Sequence, residues 1–413
     1  MSSVYKTKVL PQHWVVTLLG MFAFFIPLHR TAAMVSLILA IVVYLVTKQF
    51  KEPIISRSAI VLAPTLLYVL YFFNLLFHYS PATSWFPLEK KILLLLFPVF
   101  VYFVNVSSRQ LLQLLIFFIA GCAIFTFLSI YNAYVFYNLP TQHFELVHLP
   151  HQLAIDLHAP YLSLLLTLAN FSILYIVRSQ KRFYLSLLLV FYFTVLIIII
   201  SSRTAFILNL LVLFAFLFDR AVSLKREKVF YISSVIFLFG VFLLFMSYGH
   251  MQERFMSVFR GSGEGVSERL LVYKAAIAII SDFPLSGVGV QHVQDVLVQY
   301  YMQFDYAPSM YVLNPHNEYL YSGVAMGVLG ICFMLAMLLT PIYLCFKNGR
   351  FLLMLPYIIF AVAFLTEVLL ERFWGVASFV LFYTLFIRLS SESKPILQDT
   401  ASEKLLINVA KYQ

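Results

Sequence analysis

His316 is the first residue of this sequence whose surroundings indicate chemistry. It lies in the run Asn314-Pro315-His316-Asn317-Glu318, immediately before a long apolar segment. A neutral imidazole near physiological pH can accept a proton from a hydroxyl group as that hydroxyl attacks. Pro315 favours a turn before the histidine, and an ionisable group at the mouth of a membrane helix is a functional hypothesis by default. His316 is therefore a candidate general base, and a helix-capping or interface histidine is the alternative.

Two arginines could bind an anion. Arg203 lies in the run Ser201–Thr204, which interrupts two apolar segments at their turn. Arg269 falls in the first turn of a predicted helix, where its charge and the unpaired backbone N–H groups could together hold an anion. Arginine suits a diphosphate because its planar fork makes bidentate hydrogen bonds and stays charged. For Arg203, a structural or snorkelling side chain is the alternative.

Other polar residues on the same predicted side are candidate supporting groups. They are Asn317, Glu318, Lys274, Arg260, Lys90 and Lys91. His143, His148, His151 and His158 lack a clear zinc spacing, so no metal site is predicted. Gly287 and Gly289 have G-x-G spacing without a preceding strand, which indicates a structural turn rather than a phosphate-binding loop.

The elements that must position these residues are membrane helices. The chain is 62% hydrophobic and 11% charged, whereas soluble domains are about 45–50% apolar and about 25% charged. Its apolar runs have the length of helical spans and lack the alternation of a membrane β-barrel. The net charge of +10 reflects Lys and Arg in loops assigned to the cytoplasm, so no nucleic-acid partner is predicted.

The predicted fold is all-α and polytopic, with about twelve transmembrane helices and both termini in the cytoplasm. Residues 1–248 carry about nine spans, 249–316 form a long outer loop with short helices, 317–390 carry three spans, and 391–413 form a cytoplasmic tail. The predicted spans cover approximately 13–28, 31–47, 58–77, 92–105, 111–137, 159–177, 183–200, 205–218, 229–248, 317–346, 351–370 and 373–388.

The outer loop contains a helix signal. Ser267 is the predicted N-cap, and Asp282-Phe283-Pro284 ends the helix. Leu271, Ala275, Ala278 and Asp282 fall on one stripe, so the helix is predicted to be amphipathic and to lie along the membrane surface.

Three motifs, taken in order, resemble the superfamily of bacterial O-antigen ligases and polymerases. The first is Ser201–Thr204 at a helix turn. The second is the run Ser267–Ala276 leading to Asp282–Gly289. The third is His316-Asn317, a gap of nine residues, and then Gly327-x-x-Gly330. Together they span most of the chain and fall on one predicted membrane face.

The resemblance implies a metal-independent, inverting glycosyltransferase without a cofactor in the bacterial inner membrane. Its donor would be a glycan on undecaprenyl diphosphate, used at the periplasmic face among membrane lipids. A ligase transfers that glycan en bloc to a sugar of the lipid A core. By the same resemblance, Arg203 and Arg269 would hold the diphosphate, and His316 would act as base toward the acceptor hydroxyl.

Other activities fit part of the pattern. An O-antigen or exopolysaccharide polymerase, or a protein O-oligosaccharyltransferase, would use the same donor with another glycan or a protein as acceptor. The nine-residue gap and the G-x-x-G pair favour the ligase. A lipid-linked glycan transporter is a different class, but the sequence shows no related halves and its unexplained charges concentrate on one face.

Overall fold

The computed structural model describes residues 13–47, 59–80, 83–104, 107–137, 157–177, 183–200, 202–224 and 266–391, with isolated residues between 232 and 256. In this part of the chain every regular element is a helix. The α-helices are α1 (His13–Phe25), α2 (Arg30–Val46), α3 (Ala63–Phe77), α4 (Phe86–Lys91), α5 (Leu93–Phe103), α6 (Ser108–Tyr137), α7 (Ala159–Val177), α8 (Phe183–Ile200), α9 (Arg203–Leu224), α10 (Val266–Asp282), α11 (Val293–Gln303), α12 (Glu318–Lys347), α13 (Phe351–Ala363) and α14 (Phe373–Ser391). Short 3₁₀ helices cover Ala59–Leu62, Pro308–Val312 and Leu369–Glu371.

The long apolar helices identify a multi-pass membrane protein. Five segments are long and apolar enough to cross a membrane, namely Ala59–Phe77, Arg109–Asn132, Ala159–Val177, Glu318–Lys347 and Phe373–Ser390. Four shorter apolar helices accompany them in the described residues. The predicted count of about twelve spans is therefore not confirmed. Most of the predicted ninth span, residues 229–248, lies outside the described residues, as does nearly all of the predicted tail.

Helix α14 lies at the centre of the bundle. Almost every side chain from Trp374 to Leu389 is buried, and the rings of Phe382 and Phe386 pack against Phe118 of α6 and Phe171 of α7. A helix that is apolar all round is either a membrane span facing lipid or part of a protein core, and the burial of α14 shows that other helices surround it. The bundle therefore assembles around α14, and residues 368–370 of the connection that precedes it are buried.

A buried polar cluster fixes α7, α8 and α9 against one another. The side-chain amide of Asn170 donates to Thr194 at 3.2 Å and to Asn209 at 2.8 Å, and Asn209 donates to Thr194 at 3.1 Å. Hydrogen bonds of this kind join helices where the surrounding packing is apolar. They set the position of α9, whose first residue is Arg203.

Helix α12 is broken at Gly327. This residue has φ 68° and ψ −161°, and a Cβ atom there would lie 2.4 Å from the carbonyl oxygen of Pro284. The turn after α10 replaces hydrogen bonds lost at the break, since Val288 N donates to Val324 O at 2.9 Å and Val328 N donates to Pro284 O at 2.8 Å. A broken helix at membrane depth is stable only when its backbone groups find such partners.

Gly287 and Gly289 are the glycines of that turn. Gly287 has φ 64°, and its own Cβ would lie 2.4 Å from the backbone of Ala325. Asn74 of α3 joins the two parts, since its Nδ2 donates to Ser286 O at 2.9 Å and to Ala325 O at 3.1 Å. The prediction of a structural turn is confirmed. Gly287 is required by close backbone approach, and Gly289 has φ 89° with the His78 side chain 2.8 Å from where its Cβ would lie.

Helix α10 confirms the predicted outer-loop helix but corrects its details. It begins at Val266, one residue before the predicted N-cap Ser267, and ends at Asp282 as predicted. The buried face consists of Val272, Ala275, Ala276 and Ile279. Leu271 and Asp282 of the predicted stripe are exposed. Ala275 of the predicted stripe is buried, but the observed face is shifted by about one residue, because packing against α12 selects it.

The connection between α13 and α14 differs from the sequence prediction. The eleventh span was expected to reach residue 370, but α13 ends at Ala363. Residues 364–372, here named the acidic connection, then form a turn and a short 3₁₀ helix. Leu365 and the run Val368–Leu370 gave this segment an apolar character, which concealed the end of the helix.

Candidate active site

A cavity of about 130 Å³ opens where α7, α9 and α10 begin and α13 ends. Its walls include Arg203, Arg269, Thr366 and Glu367. The two arginines come from different helices, and each lies in the first turn of its helix. The fold therefore brings both sequence-predicted anion-binding residues to one cavity. The N-terminal ends of α9 and α10 lie at the same cavity. Such helix ends favour negative charge.

His316 lies next to this cavity and has an unusual backbone. Its φ of 44° is in the left-handed region, which residues other than glycine seldom adopt. The Asn314 side chain stabilises the turn, because its Oδ1 accepts a hydrogen bond from His316 N at 2.8 Å. The helix cap is the next residue, Asn317, whose Oδ1 accepts from Leu320 N at 3.0 Å. The histidine is thus not the cap, and its ring is directed to Glu367 instead.

Glu367 contacts two of the predicted site residues, but the sequence analysis did not predict it. Its Oε1 lies 3.5 Å from Nη2 of Arg269, and its Oε2 lies 3.6 Å from Nδ1 of His316. The side chain is 16% exposed. An isolated carboxylate inside an apparent apolar span was the available signal, because such groups are rare in spans and usually paired.

Glu318 holds the acidic connection in place. It is completely buried, its backbone N donates to Phe364 O at 2.7 Å, and its Oε2 accepts from Leu370 N at 2.8 Å. These contacts join the start of α12 to the acidic connection at two points, one before and one after Glu367. Glu318, a predicted supporting residue, therefore acts on the backbone of the site and does not line the cavity.

Lys90 and Lys91 form a second cluster with Glu371. Nζ of Lys90 lies 3.2 Å from Oε2 of Glu371, and Nζ of Lys91 contacts Oε1. Lys91 is completely buried, with its ammonium 5.0 Å from the Tyr71 ring centroid and 5.4 Å from that of Tyr321. Burial acts to raise the pKa of Glu371, but the two lysines outweigh it and hold that pKa below its ordinary value. Neither lysine lines the cavity.

The remaining candidates are placed elsewhere. Lys274 is exposed, and its ammonium lies 5.4 Å from the centroid of the Phe304 ring. His158 is exposed just before α7. Arg260, His143, His148 and His151 lie outside the described residues.

This arrangement combines two chemical capacities. Two guanidinium groups beside one cavity can neutralise a charged leaving group, and their bidentate donors suit phosphate oxygens. Nδ1 of the imidazole faces the Glu367 carboxylate at 3.6 Å, and Nε2 is the other ring nitrogen that can accept a proton. Groups of both kinds are needed for the displacement of a diphosphate by a hydroxyl.

Comparison with known families finds a match in the chain. Residues 185–335 match the model of the O-antigen ligase family. The matched segment includes Arg203, Arg269, His316 and the Gly327–Gly330 pair, whereas Glu367 lies beyond it. No curated protein is similar to the chain at a significant level. The family match confirms the resemblance predicted from the motifs.

Proposed function

We propose that this protein is an O-antigen ligase-like glycosyltransferase. It moves a glycan en bloc from undecaprenyl diphosphate to a sugar hydroxyl of the lipid A core. The observation that carries the proposal is the meeting of Arg269 and His316 on Glu367, beside a cavity that Arg203 also lines. The family match supports ligase-like transfer in general.

The proposed reaction is a single displacement. The acceptor hydroxyl oxygen attacks the anomeric carbon as the bond from that carbon to the diphosphate oxygen breaks. The hydroxyl proton passes to Nε2 of His316, and undecaprenyl diphosphate leaves with the bonding electron pair. Arg203 and Arg269 neutralise the charge that develops on the leaving group. Attack opposite the leaving group inverts the anomeric configuration.

The position of the cavity favours transfer over transport. Arg203 and Arg269 lie at the first turns of their helices, so the cavity is at one end of the bundle. Transporters generally bind their substrates near the middle of the membrane. We assign this end to the periplasmic face of the inner membrane and both termini to the cytoplasm, because the basic loops then lie inside.

Deletion of the gene followed by analysis of lipopolysaccharide tests the acceptor. A ligase predicts loss of all polymeric glycan from the core, with long chains accumulating on the lipid carrier. A core that keeps one repeat unit would indicate a polymerase. An unchanged lipopolysaccharide profile would contradict transfer to the lipid A core and direct attention to glycoprotein acceptors.

The variant His316→Ala, returned to the deletion strain, tests the proposed base. Transfer should fall by about 10²- to 10⁴-fold, the usual contribution of a general base, while the amount of protein in the membrane stays unchanged. His292→Ala is the matched control, because His292 precedes α11, makes no capping hydrogen bond and does not line the cavity. Normal transfer by His316→Ala would remove the base assignment.

A further inference from the structure

Glu367 touches both groups to which the proposed reaction gives a chemical role. One carboxylate oxygen is 3.5 Å from Arg269, and the other is 3.6 Å from Nδ1 of His316. The same side chain lines the cavity. It therefore connects the diphosphate side of the proposed site to the side that receives the acceptor.

Both contacts are loose. Charge-assisted N–H···O bonds are usually about 2.7–2.9 Å long, and the distance from Glu367 to His316 exceeds hydrogen-bond range. Nδ1 of His316 is consequently a buried nitrogen without a hydrogen-bond partner. Such atoms are uncommon in folded proteins and call for an explanation. A rotation of Glu367 toward the ring would supply the missing partner.

The backbone on both sides of Glu367 is held by hydrogen bonds with neighbouring helices. Tyr273 of α10 donates to Leu365 O at 3.1 Å, and Tyr161 of α7 donates to Val368 O at 3.0 Å. Glu318 binds the backbone N–H of Leu370. The connection is thus fixed on both sides of Glu367, so a change of partner by the carboxylate would need rotation of the side chain alone.

We propose that Glu367 is a positioning residue that couples donor binding to the orientation of the base. A bound diphosphate competes with the carboxylate for Arg269, because both anions use the same N–H donors. Glu367 then turns to His316, accepts a hydrogen bond from Nδ1–H and leaves Nε2 unprotonated toward the acceptor hydroxyl. When Nε2 takes that proton, the carboxylate stabilises the imidazolium, as in other acid–imidazole pairs. This inference rests on the function proposed above.

The test uses the full chain in lipid nanodiscs and the variant Glu367→Gln. We measure binding of undecaprenyl diphosphate separately from kcat, using lipid-linked glycan extracted from the deletion strain as donor. The kcat value should fall about 100-fold, since an acid–base contribution is lost. Undecaprenyl diphosphate should bind at least as tightly as to the wild type, because the competing negative charge at Arg269 has been removed.

Two further variants separate positioning from structure. Glu268→Gln is the matched control, because Glu268 is an exposed acidic residue next to Arg269 in sequence and does not line the cavity. It should retain the wild-type kcat and binding. Glu367→Asp keeps the charge on a side chain that is one methylene shorter, so its kcat should lie between those of Glu367→Gln and the wild type.

Two results would overturn the coupling. One is a wild-type kcat in Glu367→Gln. The other is parallel loss of binding and kcat in the Gln and Asp variants, which would mean that Glu367 only maintains the fold. The proposed function fails by a different result, namely transfer by His316→Ala or no binding of undecaprenyl diphosphate to the wild type. If Glu367→Gln is active and His316→Ala is inactive, only the proposed role of Glu367 is contradicted.

Discussion

Glu367 and Glu371 lie four residues apart on the acidic connection, and each faces two basic side chains, but their surroundings differ. Around Glu371 the contacts are short, and Lys91 is completely buried beneath two tyrosine rings. Around Glu367 the contacts are 3.5 and 3.6 Å, and Arg269 and His316 are 32% and 27% exposed. The two carboxylates are about equally exposed, at 15% and 16%, but Glu371 pairs with a completely buried ammonium group whereas Glu367 borders a cavity.

The difference indicates two uses of the same residue type. A buried ion pair is costly to break, because the partner that remains is an uncompensated charge. Glu371 therefore anchors the connection to α4. A loose pair beside a cavity can exchange one partner for a charged ligand at little cost. This places the proposed chemistry at Glu367 and the structural role at Glu371.

Removing the buried ammonium should have the largest effect on stability. Lys91→Met keeps the length of the side chain but leaves Glu371 with Lys90 alone, so the free energy of unfolding should fall by about 3–5 kcal/mol. Thermal or denaturant unfolding in detergent measures the change. Lys90→Met is the matched control; Lys90 is 34% exposed, and its loss should cost less than about 1 kcal/mol. Equal losses of unfolding free energy in the two variants would contradict the expected difference between the buried Lys91 and the partly exposed Lys90.

At Arg269, a change in the shape of the cationic group without a change in its charge should lower transfer. Arg269→Lys keeps the positive charge but loses the planar fork, so transfer should fall about tenfold if bidentate contact with the diphosphate matters. The unfolding midpoint should stay near that of the wild type. Arg372→Lys, on the same connection but outside the cavity lining, is the control. Near-normal turnover in Arg269→Lys would mean that a simple positive charge suffices or that Arg269 is not at the site.

Lowering the pH should gradually remove the stabilising contribution of Glu371 to the buried cluster. The pKa of Glu371 is lower in the folded protein than its ordinary value of 4.5. Its stabilising contribution is therefore present above that value and is lost as the pH falls through the folded pKa. Between neutral pH and pH values below 4.5, the unfolding midpoint of the wild type should fall more steeply than that of Glu371→Gln. Parallel pH profiles would show that the carboxylate does not supply this stability.

The sequence by itself determined most helix positions. Helices α7 and α8 have the bounds that their apolar runs predicted, residues 159–177 and 183–200. A membrane helix satisfies its own backbone hydrogen bonds, so a local run of apolar residues is sufficient to identify it. The motifs also pointed to Arg203, Arg269 and His316 before any of their contacts were known. These signals are local in the chain, which is why they could be read from it.

Tertiary structure decided how those residues combine. Glu367 and Arg269 are separated by 98 positions, and their contact depends on how α10 packs against the end of α13. In sequence, Glu367 and Glu371 look alike, since each is a carboxylate within the same largely apolar run. Only the packing of the bundle gives Glu371 a buried lysine partner and places Glu367 beside a cavity. Burial and distance control the strength of an ion pair, and both are properties of the assembled bundle rather than of any segment.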